Sequence, residues 1–219
     1  MICVSIADID FEQCRKVLSD IEMAEIRLDL LHFSPAQVKE IFSKHPQLIA
    51  THRPDSTEMS EEERKELLIS AVNAGAAYVD VEIETRTAFK EAVKQACCEK
   101  GCKLIVSYHN HEKTPSKNEL ETIIEKCFGN GADIAKVACQ VNGEADAARI
   151  LSLYDYDREN SKEKKIVALG MGEKGKIIRL VAPLLGAPFT FAALSAGKET
   201  APGQLDRQTL QGILDRITG

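Results

Sequence analysis

The sequence predicts an α/β protein built as a closed (β/α)8 barrel, and three observations support that expectation. Eight short apolar runs alternate with amphipathic segments along the 219 residues. Helical segments separate the runs, which implies parallel pairing, because a parallel neighbour needs a crossover connection. No Pro/Gly/Ser-rich linker and no low-complexity tract interrupts the pattern, so residues 1–219 are expected to form a single domain. A doubly wound open sheet is the competing arrangement.

The elements follow in order. Strands are expected at ICVSI (2–6), EIRLDL (25–30), LIAT (48–51), YVDVE (78–82), KLIVSY (103–108), IAKVA (134–138), KIVALG (165–170) and PFTFAA (188–193). Ser34 supplies an N-cap, with Pro35 at the first helical position, where its missing amide hydrogen costs nothing. Ser60 with Glu63, and Ser116 with Glu119, fit the capping box, in which each side chain satisfies an otherwise unpaired backbone donor. Gly75, Gly101, Gly131 and Gly186 stand where helices should stop. The charged stretch DYDRENSKEKK (155–165) reads as a solvated loop ahead of strand seven.

Composition narrows the class. Hydrophobic residues at 44% and charged residues at 28% are ordinary for a globular protein. A net charge of −6 offers no basic stripe for nucleic acid. No run approaches the roughly 20 apolar residues that span a bilayer. The start, MICVSIADID, lacks the basic region and small-residue cleavage site of a signal peptide, so a cytoplasmic location is expected. Seven scattered cysteines, among them CCEKGC (97–102) with no histidine nearby, read as thiols in a reducing compartment rather than metal ligands.

Gly170, Gly172 and Gly175 form G-x-G-x-x-G, the pattern of a dinucleotide-binding turn. That turn should be followed about 20 residues later by an acid at a strand end. The next strand, PFTFAA, ends without one. A phosphate site after strands seven and eight, helped by Lys174 and Lys176, is a second option, and the nucleotide reading is rejected.

The informative residues are polar ones inside strands that ought to be apolar. Glu25, Arg27 and Asp29 alternate in strand two, Asp80 and Glu82 in strand four, and Ser107 and His109 in strand five. Lys136 interrupts strand six, and His52 and Arg53 follow strand three. A closed barrel has no wet interior face, so such charges must pair or meet a ligand. Each cluster is expected toward the C-terminal strand ends, where barrel enzymes build their sites. A desolvated lysine among cationic neighbours would have a lowered pKa and act as a nucleophilic amine toward a ketone or aldehyde. A histidine beside it could move protons, and Arg27, Arg53 and Arg179 could hold a carboxylate. The residues alone therefore point to a metal-free, imine-forming lyase or aldolase acting on an anionic carbonyl compound. A catalytically silent ligand-binding barrel remains the rival of a different class.

The motifs also resemble the type I 3-dehydroquinate dehydratases (3-dehydroquinases). The resemblance rests on E-x-R-x-D at Glu25–Arg27–Asp29, THRP (51–54), DVE (80–82), SYHNHEKTP (107–115), DIAKVA (133–138), GMGEKGKIIRL (170–180) and APGQ (201–204). It implies a TIM barrel needing no cofactor or metal, acting as a homodimer on 3-dehydroquinate in the shikimate pathway. It further implies that Lys136 forms an imine with the substrate ketone and that His109 moves the protons. Arg179 would bind the carboxylate beside Gln204, with Thr200 and Ala201 in the same loop. Glu25, Arg27, Arg53 and Asp80 would orient hydroxyls and the histidine, while Met171 and Phe191 would line the apolar wall.

The sequence departs from the family pattern at four places. Leu169 replaces a methionine, and Thr200 replaces a serine. Glu58, the candidate acid to pair with His109, lies one place out of register. Strand one begins so near Met1 that an N-terminal closing hairpin is not expected.

Overall fold

A computed structural model describes residues 1–54, 59–155 and 165–219. Its strands are β1 (Ile2–Ile6), β2 (Ala24–Arg27), β3 (Leu48–Thr51), β4 (Tyr78–Glu82), β5 (Lys103–Asn110), β6 (Ile134–Gln140), β7 (Lys165–Met171) and β8 (Thr190–Ala193). The helices are α1 (Phe11–Leu18), α2 (Leu28–Leu31), α3 (Pro35–Lys44), α4 (Glu61–Ala74), α5 (Thr87–Lys100), α6 (Lys117–Gly129), α7 (Glu144–Leu151), α8 (Lys176–Leu185) and α9 (Arg207–Thr218). Strand order is β7-β6-β5-β4-β3-β2-β1-β8, and the ladders between the described strands are all parallel. From β1 to β7 each strand pairs with its neighbours in sequence, and β8 returns to pair with β1. That is a nearly closed (β/α)8 barrel; a doubly wound sheet would reverse its strand order at a switch point.

Local signals fix the helix ends as the sequence suggests. Ser34, Ser60 and Ser116 each accept from the amide three residues on, and Gln37, Glu63 and Glu119 reach back to the cap. Gly75, Gly101 and Gly186 end their helices in the left-handed region, and Gly131 follows α6 with φ +86°. Asp10 and Gln13 add a further capping box at the start of α1.

Several boundaries differ from expectation. Strand two stops at Arg27, and residues 28–31 form one helical turn that ends on His32 with φ +49°. Asp29 therefore leaves the strand face and folds back onto Arg27. Strands five and six run on to Asn110 and Gln140, which makes His109 a strand residue. Strand eight starts at Thr190, not Pro188. Of the loop expected at 155–165, positions 156–164 lie outside the described residues, and Lys165 opens β7.

The two faces of the strands bury different things. Outward residues such as Val4, Ile6, Ile26, Leu48, Val79, Val106 and Val137 pack under the helices in one large apolar shell. Inside the barrel, Cys3, Met23, Ile49, Ile105, Ile134, Val167 and Phe189 form a separate apolar floor. Phe189 meets Tyr78 and Phe191 edge-on, with ring centroids 5.7 and 5.6 Å apart. The polar strand residues sit above this floor.

Among the described residues no ladder joins β7 to β8. Helix α8 packs on both strands. The buried hydroxyl of Tyr154 donates to Ala168 O at 3.0 Å and accepts from Ala168 N at 2.9 Å, standing in for a strand partner. Tyr154→Phe would leave both backbone groups of Ala168 buried without that partner. We expect it to lower unfolding free energy by roughly 1–3 kcal/mol in urea titrations; an unchanged midpoint and slope would show that Tyr154 does not seal the seam.

Candidate active site

Period-two alternation turns Ser5, Glu25, Thr51, Asp80, Ser107 and Lys136 into the barrel, and all six are buried. Lys136 is the third of the seven residues of β6, with Ile134 and Ala138 on its inner face. It therefore lies deeper than a strand end, directly on the apolar floor. Its ammonium donates to Asp80 Oδ2 at 2.8 Å, lies 3.7 Å from Glu25 Oε1, and stands 4.3 Å from the centre of the Phe191 ring. The nearest charged groups are thus carboxylates, brought in by β2 and β4, and the expected cationic neighbour, Arg53, stands beyond them, sharing Asp80 Oδ2 with Lys136.

Asp80 is the hub of this layer. Arg53 grips it with both nitrogens, Nη1 to Oδ1 at 3.1 Å and Nη2 to Oδ2 at 2.9 Å. Ser107 Oγ donates to Oδ1 at 2.6 Å. Arg53 also donates to Ser107 and to Glu82. Burial alone would raise the Asp80 pKa, but the charges of Arg53 and Lys136 outweigh it and hold the carboxyl far below the usual range. Asp80 stays ionised, so it can orient and balance charge but makes a poor proton acceptor.

Glu25 is held by two hydroxyls, Ser5 Oγ and Thr51 Oγ1, each at 2.9 Å. Arg27 pairs with Asp29 through two bonds of 3.0 and 2.7 Å. His109 follows on β5, its ring nearly parallel to that of His111 at 6.3 Å. Burial, and then the positive charges of Arg53 and Lys136, push the His109 pKa well below its ordinary value. The imidazole is neutral at neutral pH and available as a base.

Arg179, on α8, is 2% exposed. Its Nη1 donates weakly to Phe191 O at 3.4 Å, and its Nε has no partner among the described residues. Burial lowers its pKa to about 10, opposed by Glu25, so it remains a cation at neutral pH. Arg27, Arg53 and Lys136 each have a carboxylate within ion-pair distance, whereas Arg179 has none among the described residues. A buried, unpaired guanidinium is a strong demand for an anion.

These groups border one cavity of about 840 Å³, ample for a small organic acid. Glu25, Arg27, Arg53, His109, Lys136, Met171, Arg179, Phe191, Thr200, Ala201 and Gln204 all line it. Asp80 sits behind the wall and touches it through Arg53 and Lys136. His52 turns away from the site: it is buried, and both ring nitrogens lack partners among the described residues. Glu58 lies outside the described residues. Three residues that the sequence does not single out also serve the site: Ser5 and Thr51 hold Glu25, and Arg64 lines the cavity from α4. Their only signal was small polar or charged character in otherwise ordinary elements.

The glycine pattern serves close packing. A Cβ on Gly170 would come within 2.7 Å of Gly175, and one on Gly175 within 2.5 Å of Gly170. Gly172, at φ +79°, donates to Pro202 O at 3.1 Å, and a Cβ on Gly203 would lie 2.3 Å from Gly172 O. The β7 turn thereby clasps the APGQ loop over the cavity. Gln204 fastens that loop by accepting from Thr200 N at 2.7 Å and reaching Ser5 Oγ at 3.4 Å.

Known proteins resemble this chain over nearly its whole length. The family model described as Type I 3-dehydroquinase matches residues 2–219. A 3-dehydroquinate dehydratase of Methanococcus maripaludis is 36% identical, covering 99% of this chain and 100% of its own length. That of Methanocaldococcus jannaschii is also 36% identical, covering 97% of each. The crystal structure of the Aquifex aeolicus 3-dehydroquinate dehydratase superposes with a TM-score of 0.80 at 26% identity, covering 100% of this chain and 99% of its own.

Burial lowers the proton affinity of His52 as well as that of His109. The unfolded chain, with ordinary histidines near pH 6.5, therefore takes up protons first as pH falls, and stability drops with it. We expect urea midpoints to fall between about pH 7.5 and about pH 5.5, and His109→Asn to flatten part of that slope. A wild-type midpoint that is level across the window would contradict the lowered proton affinity of both rings.

Proposed function

Because this chain belongs to the type I 3-dehydroquinase family, we propose that it removes water from 3-dehydroquinate to give 3-dehydroshikimate in the shikimate pathway, working through an imine on Lys136. One observation carries the reading: a buried lysine, a neutral histidine and an unpaired buried arginine border the same cavity.

The substrate carboxylate docks on Arg179, which brings the ring over Lys136. The Lys136 ammonium hands a proton to His109, and its amine adds to the C3 carbonyl. That proton leaves with the carbonyl oxygen as water, so His109 is neutral again and a protonated imine remains. Its nitrogen draws electron density from C2, so that the neutral His109 can remove a C2 proton and leave an enamine. The electron pair then returns toward C2 and expels the C1 hydroxyl, which takes the proton from His109 and departs as water. Hydrolysis of the imine releases 3-dehydroshikimate and restores the amine. No net proton is consumed.

Proton affinities support this division of labour. Asp80 is held ionised while His109 is held neutral, so two titratable groups beside the lysine are driven to different tasks. Arg27, Arg53 and Glu25 present polar atoms to the ring hydroxyls. Phe191, Met171 and Leu169 give the opposite wall an apolar surface. Leu169 keeps that wall apolar, and Thr200 keeps a hydroxyl on the loop. We place the reaction in the cytoplasm and assign the chain a homodimeric state; no described helix is long and apolar enough to cross a membrane.

Incubation with 3-dehydroquinate should produce the absorbance of a conjugated enone. Lys136→Ala should abolish it, and His109→Ala should slow it by about 100-fold or more. Arg179→Gln should raise KM by roughly tenfold or more, the value of one strong charge-assisted pair. No enone at high wild-type enzyme concentration would refute the dehydratase reading. A wild-type rate in His109→Ala would refute the acid–base assignment.

A further inference from the structure

We propose that Arg64 on α4 is a positioning residue for this reaction, acting through Glu82 and the end of β3 to seat Arg53 on Asp80. The inference rests on the dehydratase reading above. Arg64 is 5% exposed and lines the cavity, although it comes from the helical layer and not from a strand. Its Nη1 donates to Glu82 Oε2 at 3.0 Å and to His52 O at 3.1 Å, and its Nη2 donates to Thr85 Oγ1 at 3.2 Å. The guanidinium stacks on Phe89 of α5, 4.6 Å from the ring centre. One side chain thus ties together the exit of β3, the end of β4 and the turn that leads into α5.

These contacts place it behind Arg53 on two sides. The His52 carbonyl belongs to the residue immediately before Arg53, so Arg64 fixes the backbone from which Arg53 departs. Glu82 is shared: one oxygen receives Arg53 and the other receives Arg64. With Arg64 in place, Glu82 is balanced without drawing Arg53 off its bidentate seat on Asp80. Without it, Glu82 would keep Arg53 as its one charged partner among the described residues, and the β3 exit would lose an anchor. Arg53 would then swing toward β4, away from Asp80, the carboxylate that also holds Lys136. A shift of this kind misplaces the reacting lysine without removing any group that touches substrate.

Arg64→Gln, Arg64→Lys, Glu82→Gln and the double variant Arg64→Gln/Glu82→Gln would test this, each measured for kcat, KM and thermal midpoint. Arg64→Gln should lose about 10- to 100-fold in kcat, the range for small misplacements of reacting groups, with KM changing much less. Arg64→Lys loses the Phe89 stack as well but keeps a charge for Glu82, and should recover most of that kcat at a similar thermal midpoint. In the Glu82→Gln background the effect of Arg64→Gln should shrink, because the carboxylate it balances is gone. An unchanged kcat in Arg64→Gln would overturn the proposal. So would Gln and Lys variants falling together in step with their thermal midpoints, or an undiminished Arg64 effect in the Glu82→Gln background. If Arg64→Gln does not fold, kcat of Arg64→Lys near wild type supports the proposal, and a large loss in that folded variant overturns it. Wild-type protein without turnover would remove the dehydratase reading itself, and this inference with it.

Discussion

The site depends on one fully buried carboxylate shared by two cations. Placing an unpaired ion inside a protein costs several kcal/mol even after relaxation. Asp80 therefore cannot stand in the barrel without Arg53, and Lys136 cannot stand there without Asp80. Each member of the chain Arg64–Glu82–Arg53–Asp80–Lys136 is held because its neighbour would otherwise be an uncompensated charge. The arrangement gives Arg179 no such neighbour among the described residues. In the proposed reaction the substrate carboxylate would supply the charge missing from that set.

The fold makes that constraint possible by separating two kinds of burial. The apolar shell under the helices and the apolar floor inside the barrel leave one layer, at the level of Asp80 and Lys136, where polar side chains must satisfy each other. Parallel register then does the pairing. Thr51 lies opposite Asp80, Glu82 opposite Ser107, and Ser107 opposite Lys136. Residues far apart in sequence become neighbours because adjacent strands carry polar residues at matched heights. The glycine turn after β7 completes the enclosure by letting the APGQ loop lie against it with no side chain between.

Much of this was legible in the sequence, for identifiable reasons. Apolar runs and caps such as Ser60 with Glu63 are local, and they gave the order of elements and most of their ends. Charged residues in strands are costly unless used, and that anomaly picked out Glu25, Asp80, His109 and Lys136. What escaped depended on distant partners. Asp29 kept the strand's alternation on paper, yet the chain turns into α2 after Arg27, and its carboxylate closes on Arg27 instead. Nothing in the strand of Lys136 shows that β2 and β4 aim acids at it, so its nearest partners are not legible there. Arg64 occupies a helix rich in charge, where an inward-facing arginine has the same pattern as a solvated one. Ser5 and Thr51 look like ordinary strand residues until Glu25 is placed between them.

The central claim is that the amine on Asp80 becomes covalently bonded to the substrate's ketone carbon. Borohydride reduction in the presence of 3-dehydroquinate, followed by peptide mass mapping, tests it directly. The account predicts a stable mass increase confined to the peptide that contains Lys136. A protein that turns over substrate yet yields no adduct, or carries its adduct on another residue, would contradict it.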